Sequence, residues 1–92
     1  MKVYEFKRNE IQSVEDYYNL IQRQMNLPKW FGKNADALWD MLTGFIETPC
    51  QIILSGFANK TNNCIDLSLN LINQCFVDAG NEFPDKFQIV FK

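Results

Sequence analysis

Apolar and polar positions change period along the chain, and each change marks an element. Val3-Tyr4-Glu5-Phe6 has the alternation of a short strand with one strongly buried face. From Ser13 the period lengthens: Val14, Tyr17, Tyr18, Ile21 and Met25 fall at helical spacing. Ser13 caps this helix, and Glu15 and Asp16 occupy its first turn, where the dipole favours negative charge. Pro28 ends it at the latest, because the residue before a proline avoids the helical region. Residues 27–33 read as a loop with two large aromatics. Asn34 predicts the N-cap of a second helix running to about Thr43, with Gly44 as a stop just past it. Residues 51–54 are nearly all apolar, the pattern of a strand covered on both faces. Ser55-Gly56 ends that strand, and a polar turn over 59–63 leads into a third helix over about 64–79. Leu67, Leu71, Cys75 and Phe76 lie along one side of it, Ile65, Leu69 and Ile72 broaden the apolar surface, and Gly80 closes it. Residues 87–91, Phe-Gln-Ile-Val-Phe, form a last buried strand.

The order is strand, helix, helix, strand, helix, strand. Strands joined by helices cannot be hairpins, so the sheet is expected to be parallel with right-handed crossovers. The predicted fold class is α/β: a three-stranded parallel sheet packed with three or four helices. No internal repeat or linker divides the chain, so residues 1–92 are expected to form a single domain.

Composition narrows the chemistry. The chain is 47% hydrophobic, which suits a packed core rather than a disordered tail. No run of 18 apolar residues occurs, and MKVYEFKRNE at the start has no apolar segment of the secretory kind, so a cytoplasmic protein is expected. Histidine is absent, which removes the commonest general base, most metal sites and every histidine-dependent triad. Cys50, Cys64 and Cys75 match no zinc spacing and adjoin apolar residues, so they read as reduced, buried cysteines. No cofactor motif and no metal site is expected. Net charge is only −2 but unevenly spread: residues 34–85 hold seven acidic side chains against Lys60 alone, while 1–33 and the last seven residues are net basic. This argues against a nucleic-acid-binding stripe and towards a basic partner.

The second helix carries the candidate chemistry. At 100° per residue, Leu38, Met41 and Leu42, with Ala35 at the edge, form a core face. Asp36, Trp39, Asp40 and Thr43 form the opposite stripe. Asp36 and Asp40 are a like-charge i, i+4 pair, which costs a few tenths of a kcal/mol in an isolated helix. Two readings of Trp39 stay open: an outward anchor between the carboxylates, or a ring folded back under the 27–33 loop. In the first, Asp36, Trp39, Asp40 and Trp30 make a rigid acidic patch with aromatic anchors, the composition of interface hot spots.

The segment LPKWFGKNADALWDMLTGFIETP resembles the barstar family of ribonuclease inhibitors. The resemblance rests on Leu27-Pro28, the aromatic pair Trp30-Phe31, Gly32, the run from Asn34 to Asp40, and Thr43-Gly44-Phe45. It implies a protein that blocks a basic ribonuclease by laying this helix and loop across the active site, its carboxylates standing in for RNA phosphates. By the same resemblance Asp40 is the dominant phosphate mimic and Asp36 the second acidic contact. Trp30 takes the place of a loop tyrosine that packs on the enzyme. Trp39, Thr43, Gly44 and Phe45 are flanking contacts, Asn34 belongs to the same motif, and Asp78 matches a peripheral glutamate. Lys29 and Lys33 depart from the pattern, standing where the best-known member is acidic. The implied partner is a ribonuclease or ribonuclease toxin, met by a protein that is monomeric when free.

Two other functions set limits. A barstar-like binding module with a different basic target is the alternative that Lys29 and Lys33 motivate. An enzyme is not expected: two carboxylates on one surface helix offer no cleft for a sugar, and they are too few ligands for calcium.

Overall fold

The computed structural model describes residues 1–57 and 63–92. Its sheet consists of β1 (Lys2–Lys7), β2 (Cys50–Ser55) and β3 (Phe87–Phe91), in the order β1-β2-β3. Both pairings are parallel, with Tyr4 opposite Ile52 and Ile52 opposite Ile89. Among the described residues three α-helices accompany it: α1 (Val14–Gln24), α2 (Ala35–Gly44) and α3 (Cys64–Glu82); a 3-10 turn, Arg8–Glu10, follows β1. The predicted α/β class, parallel sheet and helix count are those observed. The expected polar turn over 59–63 falls, except for Asn63, outside the described residues.

Two strand expectations change. β2 is buried on one face only: Cys50, Ile52 and Leu54 are buried, while Gln51, Ile53 and Ser55 are half-buried. The same alternation runs through β1, where Tyr4 and Phe6 are buried and Val3, Glu5 and Lys7 are not, so one face of the sheet carries the core. β3 is an edge strand, with Phe87 buried but Gln88 and Phe91 exposed.

The helix boundaries follow local chemistry. Ser13 Oγ accepts from the Asp16 amide at 3.0 Å, capping α1 as expected. Asn63 caps α3 by accepting from the Ile65 amide at 3.0 Å. Gly44 is the last residue of α2 rather than a stop beyond it, and Gly80 lies inside α3, which continues to Glu82. A Cβ at Gly80 would meet Ile89 Cγ1 at 2.8 Å, so glycine here serves the close approach of α3 to β3.

The core sits between sheet and helices. Phe6 stacks on Phe76 at 5.6 Å and meets Tyr17 edge-on at 5.8 Å. Leu38, Met41 and Leu42 attach α2 to this core as expected, each burial stabilising by roughly 1.5–3 kcal/mol. On α3 the buried stripe is Leu69, Ile72, Asn73, Phe76 and Ala79, whereas Leu67 and Leu71 are exposed. A nearly all-round apolar helix leaves its orientation undecided, and packing against β3 and α2 chose the stripe. The cysteines differ from one another: Cys50 is buried, Cys75 half-buried and Cys64 exposed in the first turn of α3, which corrects the expectation of three buried thiols.

Candidate functional site

The loop and helix that the sequence singles out are held firmly from beneath. Leu27 and Phe31 are buried, and Phe31 meets Tyr18 edge-on at 6.2 Å. The Phe31 amide donates to the Pro28 carbonyl at 3.0 Å, closing a tight turn. Gln22 Nε2 donates to the same carbonyl at 2.8 Å, tying the turn to α1. Trp30, between these anchored neighbours, is 72% exposed. A buried flank and a closed turn thus present a large aromatic ring to solvent with little freedom left in its backbone.

The chain next passes close over the start of α2. A Cβ at Gly32 would lie 3.2 Å from both Ala37 Cβ and Asn34 Nδ2. Asn34 is extended, accepts from the Ala37 amide at 2.8 Å, and donates to the Gly32 carbonyl at 3.2 Å, so one side chain fixes both the helix start and the loop end. Asp36 and Asp40 are both exposed on the helix that follows. One turn apart, their Cβ atoms are separated by about 5–6 Å. Neither makes an ion pair or hydrogen bond among the described residues, where the ion pair present is Arg8–Asp66 at 2.6 Å.

The remaining candidates fall around this pair. Thr43 is exposed and its Oγ1 donates to the Trp39 carbonyl at 2.8 Å. Gly44 is exposed, and Phe45, at the helix end, is half exposed. Trp39 resolves differently from either reading of the sequence. It is half-buried, and its ring packs at 6.5 Å from Phe83, in the turn between α3 and β3, rather than under the 27–33 loop. Phe83 in turn lies beneath Lys86, whose Nζ is 5.5 Å from the ring centroid. Periodicity gave no sign of Phe83, because it lies in an irregular turn and meets Trp39 only through the fold.

Asp78, far away in sequence, comes to the same region. Cys75 Sγ lies 3.9 Å from the Ala35 carbonyl, at the start of α2. Burial pushes the Cys75 thiol up, and the Asp78 and Asp36 carboxylates push it further, so both carboxylates act on one sulfur. Gln74 Nε2 donates to Asp78 Oδ1 at 2.9 Å and orients it.

The model of the family described as Barstar (barnase inhibitor) matches residues 1–92. The chain belongs to the Barstar family. A relative in Bacillus subtilis (strain 168), named "Putative ribonuclease inhibitor YrdF", is 25% identical over 83 residues, covering 90% of each chain. As a Barstar protein the chain joins a family named for inhibition rather than for catalysis. Among the described residues no group of three histidine, cysteine or acidic side chains is placed to hold a metal ion, and no helix is long and apolar enough to cross a membrane. At α2 this Barstar protein exposes the carboxylates of Asp36 and Asp40, with Trp30 and Phe45 as the exposed aromatics nearest to them in the chain.

Proposed function

We propose that this protein inhibits a ribonuclease, acting in the cytoplasm as the immunity partner of a barnase-type enzyme or ribonuclease toxin. Asp40 and Asp36 enter the enzyme's basic active site in place of RNA phosphates. Trp30, Trp39, Thr43, Gly44 and Phe45 border them, Asn34 fixes the loop against the helix, and Asp78 lies at the periphery. The observation that carries this reading is the pair of exposed carboxylates, one helical turn apart on a capped helix, with no partner among the described residues. Asp36 gains only the modest dipole stabilisation of a first-turn position and Asp40 gains none, yet against cationic groups in a desolvated site such charges bind strongly and steer encounter. Family membership and the ribonuclease-inhibitor relative support the class of partner.

The test is titration into a ribonuclease of the same cell at two salt concentrations, comparing the wild type with Asp40→Ala. One-to-one inhibition that weakens with salt and is lost in the variant is expected. Undiminished inhibition by Asp40→Ala would refute the phosphate-mimic role. A second reading, a binding module for a different basic protein, draws on the lysines of the loop. Recovery of a basic, non-nuclease partner that requires Asp40 would favour it.

A further inference from the structure

The loop beside the acidic helix carries two cations whose place the acidic helix does not explain. Lys29 and Lys33 are exposed on either side of Trp30 and make no ion pair or hydrogen bond among the described residues. Lys33 has φ = 51°, in the left-handed region. A residue with a Cβ held there costs roughly 1–2 kcal/mol. Asn26 adopts nearly the same φ, 55°, with a side chain suited to it. Position 33 therefore holds a lysine in a costly backbone conformation, kept there by the Asn34 bridge from Gly32 to Ala37, while its ammonium has no partner among the described residues.

Any enzyme that covers Asp36, Asp40 and Trp30 also covers this loop. A standard interface buries about 800 Å² on each partner, some 20–30 residues. Lys29 adjoins Trp30, and Lys33 stands three positions before Asp36. Against a uniformly basic enzyme surface these lysines would be like charges at close range, a juxtaposition that suppresses binding.

We infer that Lys29 and Lys33 are specificity determinants, and that the ribonuclease this protein inhibits combines a basic active site with an acidic rim where the loop docks. The inference rests on the ribonuclease-inhibitor reading above. The inhibitory face is then bipolar: cationic over residues 29–33 and anionic over 36–40. It rejects ribonucleases whose rim is basic and accepts those whose rim is acidic.

The probes are barnase and a barnase variant in which basic side chains bordering the active site, outside the catalytic groups, are changed to glutamate. Inhibition constants and association rates are measured at two salt concentrations for wild type, Lys29→Glu/Lys33→Glu, and both with Asp40→Ala added. The charge-reversed loop keeps a Cβ at position 33, so its folding should match the wild type. On barnase the reversed loop is expected to bind about tenfold more tightly than wild type, mainly through faster association at low salt. On the acidic-rim enzyme the order inverts. Constants for the two loops within twofold of each other on both enzymes would overturn the inference while leaving the Asp40 mechanism intact. Inhibition undiminished by Asp40→Ala would overturn the phosphate-mimic role and this inference with it, and no inhibition in any pairing would overturn the ribonuclease reading as well.

Discussion

Replacing Asp40 by alanine should make the protein more stable and less functional at once. Asp40 is exposed in the middle of α2, with no bond among the described residues and the like charge of Asp36 one turn before it. Removing that repulsion returns roughly 0.2–0.5 kcal/mol. Exchanging aspartate for the best helix former returns roughly 0.5–0.7 kcal/mol more. Because the side chain is exposed, no buried packing is lost, and the net gain is about 1 kcal/mol. For a domain of this size, that raises Tm by about 4–8 °C. Binding moves the opposite way. Truncating one member of a desolvated charge pair costs about 2–5 kcal/mol, at least tenfold in affinity. Barnase–barstar is among the systems behind that range, so it enters as a family expectation. Thermal unfolding by circular dichroism reads the first effect, and titration of ribonuclease activity reads the second. A lower Tm would show that Asp40 is a structural residue after all. A higher Tm with inhibition intact would show that the acidic helix is not the binding face.

Gly80→Ala sets a helix-propensity gain of about 1 kcal/mol against an overlap with Ile89 that costs about 1–3 kcal/mol, so net destabilisation is expected. In an Ile89→Ala background the same change should stabilise, and denaturant unfolding of the four proteins tests the cycle. Tyr17→Phe removes the buried hydrogen bond from the Tyr17 hydroxyl to Asn73 Oδ1, in a side chain whose Nδ2 has no partner among the described residues. It should cost about 1–3 kcal/mol, and adding Asn73→Leu should recover much of it, read from urea midpoints. Burial raises the pKa values of Tyr17, Tyr18 and Tyr4 above the ordinary 10.0 and those of Cys50 and Cys75 above the ordinary 9.0, making all five weaker acids in the folded protein. Above pH 9 the unfolded chain releases protons that the native state keeps. The stability from these groups is therefore complete below pH 9 and falls as pH rises towards and past their folded values. Urea unfolding between pH 8 and 11 should show that decline, and a flat profile would contradict it.

Much of the candidate site is legible in the sequence because its determinants are local. Asn34 caps α2, the i, i+4 spacing sets Asp36 and Asp40 on one stripe, and Leu38, Met41 and Leu42 go inward as the period requires. The 27–33 loop and its two aromatics are legible too, but contact with Tyr18 and Gln22 of α1 decided that Phe31 is buried and Trp30 exposed. Periodicity failed where an element is apolar nearly all round. Nothing in the order of leucines on α3 says that Leu69 is buried and that Leu67 and Leu71 are not. The apolar run of β2 misled in the same way, because Ile53 is only half-buried, on the face opposite Ile52 and Leu54.

The sequence by itself determined the elements, their order, the parallel sheet and the paired carboxylates of α2. These follow from hydrogen bonds and side-chain spacings within a few residues and from the handedness of short connections. Only the tertiary structure decided that Trp39 rests on Phe83, that Asp78 reaches the start of α2 across Cys75, and that Gly80 belongs inside α3, beneath Ile89. Each is a contact between segments far apart in the chain. It is fixed by how whole surfaces fill space together, which no local periodicity encodes.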